Sequence, residues 1–149
     1  MPDAAELEDV DPTLLRRAAE LPESFEAQVE AAYACDRAGH EERAIRYYEA
    51  ALGLGFPDGF DRSGFMLGLG STLKNVGRLT ESEAVLRREL ASASEGGALG
   101  LFLALTLHAQ GRFDEALAQA FEVCLRHPSP SVTRYRRALE SYQAELRAR

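Results

Sequence analysis

A turn built around glycine recurs three times in this chain: Gly39-His40-Glu41-Glu42-Arg43-Ala44, Gly77-Arg78-Leu79-Thr80-Glu81-Ser82 and Gly111-Arg112-Phe113-Asp114-Glu115-Ala116. The second and third glycines lie 34 residues apart and the first two 38 apart. The stretch Gly53-Leu54-Gly55-Phe56-Pro57-Asp58-Gly59 is a loop that can absorb the extra four. Glycine suits a helix C-terminus because the chain reverses there with φ often positive. A small residue stands seven positions before each glycine (Ala32, Gly70, Ala104) and another five after it (Ala44, Ser82, Ala116). Two helices cross closely only where neither puts bulk at the contact. Tyr48 and Leu86, nine positions after their glycines, can fill the space between units, and Ala120 takes that place in the third.

Between the turns the apolar residues keep helical spacing, as in Ala44, Ile45, Tyr48, Ala51 and Leu52. No strand alternation occurs. Ala, Leu, Glu and Arg dominate, and all favour helix. Asp11-Pro12 and Ser129-Pro130 read as helix starts, Asp61 as a cap, and Thr80 with Glu83 as a capping box. The final helix carries Val132, Tyr135, Leu139, Tyr142 and Leu146, one continuous stripe for docking on a neighbour.

These features resemble the tetratricopeptide repeat family over roughly residues 23–128, and more loosely a group of short bacterial members with three repeats. The resemblance implies an all-α fold, a right-handed α-α superhelix of about three helix pairs plus a helix at each end. The expected single domain has an acidic flexible tail at 1–10 and an N-terminal helix at 11–21. Repeats follow at 23–56, 60–94 and 97–128, with a capping helix at 130–149. Gly-Arg-Phe-Asp-Glu-Ala-Leu makes the third unit closest to the family pattern, whereas Glu89 stands in the second where a small residue is usual.

Family arrays curve, and the first helix of each pair lines the concave face. The resemblance places Val29, Tyr33, Asp36 and Arg37 there in the first unit, Leu67, Ser71, Lys74 and Asn75 in the second, and Leu101, Leu105, His108 and Ala109 in the third. The partner-binding set is then Tyr33, Arg37, Leu67, Ser71, Lys74, Asn75, Leu101, Leu105 and His108. Members that grip a peptide carboxylate use Lys and Asn where this chain has Val29 and Tyr33, so that ligand class is not expected. The helix at 98–110 is apolar nearly all round, and such a helix is normally covered all round. A partner, a second copy or an end helix would cover Leu101 and Leu105, unless a tightly curled array buries them.

Catalytic chemistry finds no support. Gly68-Leu69-Gly70-Ser71-Thr72-Leu73-Lys74 has the wrong order for a phosphate loop and sits within a helix. His40, His108 and His127 form no metal pair, and Cys35 and Cys124 have no metal-ligand spacing. Glu41-Glu42 and Asp114-Glu115 suit the first turns of helices. No cofactor or metal is expected, and the protein is read as a non-catalytic binding module for a protein or peptide, or a homodimer. The net charge of −7 argues against nucleic-acid binding. Residues 1–60 hold 14 acids and 5 bases, residues 61–149 10 acids and 12 bases. Without a membrane-length apolar run or a leader pattern, a cytoplasmic protein is expected.

Overall fold

A computed structural model describes residues 9–149. The expected acidic tail lies outside them as far as residue 8, whereas Val10 is buried. Every regular element among the described residues is a helix, and none of these helices is long and apolar enough to cross a membrane. The chain divides into two compact units, Met1–Arg62 and Ser63–Arg149.

The N-terminal unit holds α1 (Pro12–Glu20), α2 (Phe25–Arg37) and α3 (Glu41–Leu54). Asp11 caps α1 by accepting from the Thr13 amide at 2.8 Å, and Ser24 caps α2. The tightly packed pair α2/α3 buries Ala32 and Ala44 completely, so the small residues stand where the helices approach. Tyr48 is buried with its hydroxyl donating to Asp36 at 3.0 Å. Burial and then the Asp36 carboxylate raise that phenol well above its usual range. The glycine-rich loop folds back on α2 through its aromatics. Phe25 meets Phe60 edge-on at 4.8 Å and Phe56 at 5.7 Å, and the Arg62 guanidinium lies over Phe56.

The C-terminal unit holds α4 (Arg62–Asn75), whose first residue belongs to the other unit, then α5 (Leu79–Ser92), α6 (Gly97–Ala109) and α7 (Phe113–Arg126). Its core joins Leu86 of α5 to Leu99, Leu103 and Leu107 of α6. Gly70 is required by packing: a Cβ there would lie 2.7 Å from the Leu86 side chain. Ser82 donates to the Gly70 carbonyl at 2.7 Å and meets the Thr106 hydroxyl at 2.9 Å, so this buried polar group is satisfied. Glu89 is buried too, and accepts from Ser63 in the first turn of α4, where a negative charge suits the helix dipole.

The three turns share one geometry. Gly39, Gly77 and Gly111 have φ of 78°, 81° and 77°. The next amide in each case returns to a carbonyl five residues back: His40 to Cys35, Arg78 to Leu73, Arg112 to Leu107. That is the Schellman closure of a helix end.

Two local expectations change. Thr80 and Glu83 form no capping box. The helix starts at Leu79 after Arg78, which places Thr80 inside the first turn, and Glu83 bonds Arg87, Gln110 and Arg112 instead. The final helix is also broken, into α8 (Pro130–Arg134) and α9 (Arg136–Arg147), with Tyr135 between them. Its stripe does not dock whole. Tyr135 and Tyr142 are exposed, while buried Gln143 docks α9 on α7, with Leu139 and Leu146 half-buried.

Candidate functional site

The expected site residues fall into both units. In the N-terminal unit, half-buried Tyr33 packs edge-on against Tyr48 at 5.9 Å. Burial, with a smaller contribution from Asp61, raises its phenol. Val29, given to the concave face by the resemblance, is core. Arg37 is exposed and lines a recess of about 470 Å³ with Asp9, Val10, Asp11 and Leu14.

In the C-terminal unit, α4 offers little free surface chemistry. Ser71 returns its hydroxyl to the Gly68 carbonyl at 3.0 Å, and Lys74 donates to Asn75 at 2.8 Å. Leu67 does not line an open face. It is partly buried against the Leu86/Leu99/Leu103 core, because α6 stacks on the α4/α5 pair at this register. Leu101 holds the equivalent position in α6 and is 46% exposed, and Leu105, one turn on, is 53% exposed. His108 is exposed at the end of the same helix, its ring 5.0 Å from Phe113 edge-to-face.

Phe113 and Leu117 of α7 were absent from the expected site, yet they are 60% and 48% exposed. Their spacing of four residues on an otherwise amphipathic helix is visible in the sequence. What could not be read there is how much of each side chain stays exposed among the described residues.

A polar network lies at the α5/α6/α7 ends. Arg112 pairs with Glu83 at 2.7 Å and with Glu115, while Gln110 reaches Glu83 at 3.0 Å. Burial opposes ionisation of Glu83, but the bonds from Arg87, Gln110 and Arg112 outweigh it and hold the carboxyl below its usual range. On α7, Arg126 and Gln143 do the same for Glu122. These groups are mutually satisfied at the seams between helices, so their shifts follow from structural pairing. No group of three or more metal-ligating side chains occurs among the described residues.

A family model for the tetratrico peptide repeat matches residues 25–146. No curated protein and no solved structure matches the chain. The match takes in α2 through most of α9, and with it all three left-handed glycine turns and their buried small residues. The chain belongs to the tetratricopeptide repeat family.

Proposed function

We propose that this protein is a non-catalytic interaction module of the cytoplasm that holds a peptide or helix of a partner protein on the first helices of its repeats. The observation that carries the reading is the exposure of Leu101 and Leu105 on α6, a helix whose Leu99, Leu103 and Leu107 form the core. An apolar pair left in water on a structured helix favours a covering partner. His108 on the same helix is the hydrogen-bonding group proposed for a peptide backbone or an acidic side chain, with Lys74 and Asn75 at the end of α4 as further candidates. Tyr33 and Arg37 are proposed as a candidate surface of the N-terminal unit by itself.

The family's usual role in protein–protein interaction supports the same reading. The test is affinity capture with Leu105→Glu beside the wild type. Loss of the captured proteins with unchanged helical circular dichroism is expected. A variant that folds and captures the same proteins overturns the proposal. Light scattering at rising concentration tests self-association, for which a homodimer would be the result.

A further inference from the structure

A recess of about 280 Å³ lies within the C-terminal unit, where the ends of α7 and α9 meet the start of α6. Leu90 and Val123 give it an apolar wall. Its polar lining is Gln119, Glu122, Arg126, His127 and Arg147. Leu101 and Leu105 do not line it, so it is separate from the surface proposed for a partner peptide.

Glu122 sets the arrangement of the arginines. One carboxylate oxygen accepts from Arg126 Nε at 3.0 Å. The other accepts from Arg147 at 3.1 Å and from Gln143 at 3.0 Å. Arg126 is the last residue of α7 and Arg147 the last of α9. A single acid therefore holds two guanidiniums from different helices at one recess. The pairing satisfies Glu122, but each guanidinium uses one N–H for it and keeps the others. Two cations against one carboxylate leave positive charge in excess.

The other lining groups add donors. Gln119 and His127 make no side-chain hydrogen bond among the described residues. Gly96 and Gly97, the N-cap and first residue of α6, close the recess. A Cβ at position 96 would run into Leu90, so packing keeps a glycine there and α6 begins without a side-chain cap. The positive end of its dipole adds to the field of the arginines.

The acids nearby do not cancel that field. Glu95 is exposed and does not line the recess. Arg147 also borders the recess of Asp114 and Glu115, but Glu115 is paired there with Arg112, and Arg149 lines that recess too.

We propose that the recess at Arg126, His127 and Arg147 binds the phosphate group of a small phosphate monoester. A tetrahedral oxyanion presents oxygens in several directions, and the donors here come from α7, α9 and the residue after α7. A planar carboxylate is matched by one forked arginine and needs no second. The volume leaves room beside a phosphate for a body of a few carbon atoms against Leu90 and Val123.

The test is a titration of the isotope-labelled whole chain, followed by its amide resonances at constant ionic strength, with chloride as the anion replaced. Inorganic phosphate is expected to shift the amides of Gly96 and Gly97 and the Gln119 carboxamide to saturation with one Kd. Glycerol phosphate, which adds a three-carbon body, is expected to bind more tightly, and acetate about tenfold more weakly than phosphate. Arg126→Gln and Arg147→Gln should each weaken phosphate about tenfold, the effect of losing a charge-assisted hydrogen bond. His127→Ala removes a side chain with no internal bond, so the fold is spared, and should weaken phosphate about threefold. Arg134→Gln removes a charge outside the recess and should leave Kd unchanged. Circular dichroism checks that each variant keeps its helices.

Shifts that never saturate, or that chloride reproduces, overturn the proposal. So does a Kd unmoved by the Arg126, Arg147 and His127 variants, or one that Arg134→Gln weakens equally, which would make net charge the cause. Acetate binding as tightly as phosphate overturns the choice of ligand. Tighter binding of a phosphoserine peptide than of glycerol phosphate overturns it too, and makes a modified protein the source. Leu105-dependent capture stands or falls independently of all these outcomes.

Discussion

The carboxamide of Gln143 donates to the main-chain oxygen of Ala118 at 3.0 Å and to the Glu122 carboxylate at the same distance. One residue before Ala118, Leu117 is left in water. The two bonds hold α9 to one side of α7, and they are made by a buried polar group in the middle of a docking face. Gln143→Leu keeps the side-chain bulk and removes both. Hydrogen bonds of this kind contribute about 1–2 kcal/mol, with the charged acceptor at the upper end. Urea unfolding should show that loss, and amide exchange should rise in 136–147 ahead of α6. Unchanged exchange in α9 would show that Leu139 and Leu146 hold the helix unaided.

Gly70→Ala should destabilise the protein by about 1–3 kcal/mol, the usual cost of overpacking a close helix contact. Ala outranks Gly in helix propensity, so the sign of the effect separates packing from propensity. The added carbon would meet Leu86 at 2.7 Å, well inside contact distance. Thermal unfolding checks this, and a rise in midpoint would contradict the close approach of α4 and α5.

Glu83 and Glu122 are held below the ordinary carboxylate range, so their pairing contributes stability that is complete above the unfolded value near 4.5. It is lost as pH falls through their lower folded values. The expected result is a melting temperature that declines steadily below about pH 4.5. Glu83→Gln should cost about 1–3 kcal/mol at pH 7 and flatten that acid limb. Equal acid sensitivity in wild type and variant would assign the effect to other carboxyl groups.

Much of the fold was written in local chemistry. A glycine with φ near 80° ends each first helix, and small residues at fixed offsets mark the crossings, so the three turns and their pairing could be read from spacing alone. Glu89 could not. It departs from the small residue expected there, and only the approach of Ser63 explains how a buried carboxylate is accommodated. The capping box failed for a related reason: Glu83 has three better donors than any local amide, Arg87 of α5 with Gln110 and Arg112 of the turn after α6.

Leu67 and Leu101 mark the boundary between the two kinds of information. They occupy the same register, ten residues before their glycines, and sequence reading assigned both to one binding face. Register is local and follows from the helix repeat. Burial depends on what the rest of the chain brings alongside. At Leu67 that is the core of the third repeat, whereas Leu101 stays exposed among the described residues, with Gln143 and Arg136 binding the last helix to carbonyls of α7. The sequence by itself determined three helical hairpins and their turns. Only the tertiary structure decided which of the equivalent apolar positions stay in water, since that is a property of neighbours distant in the chain.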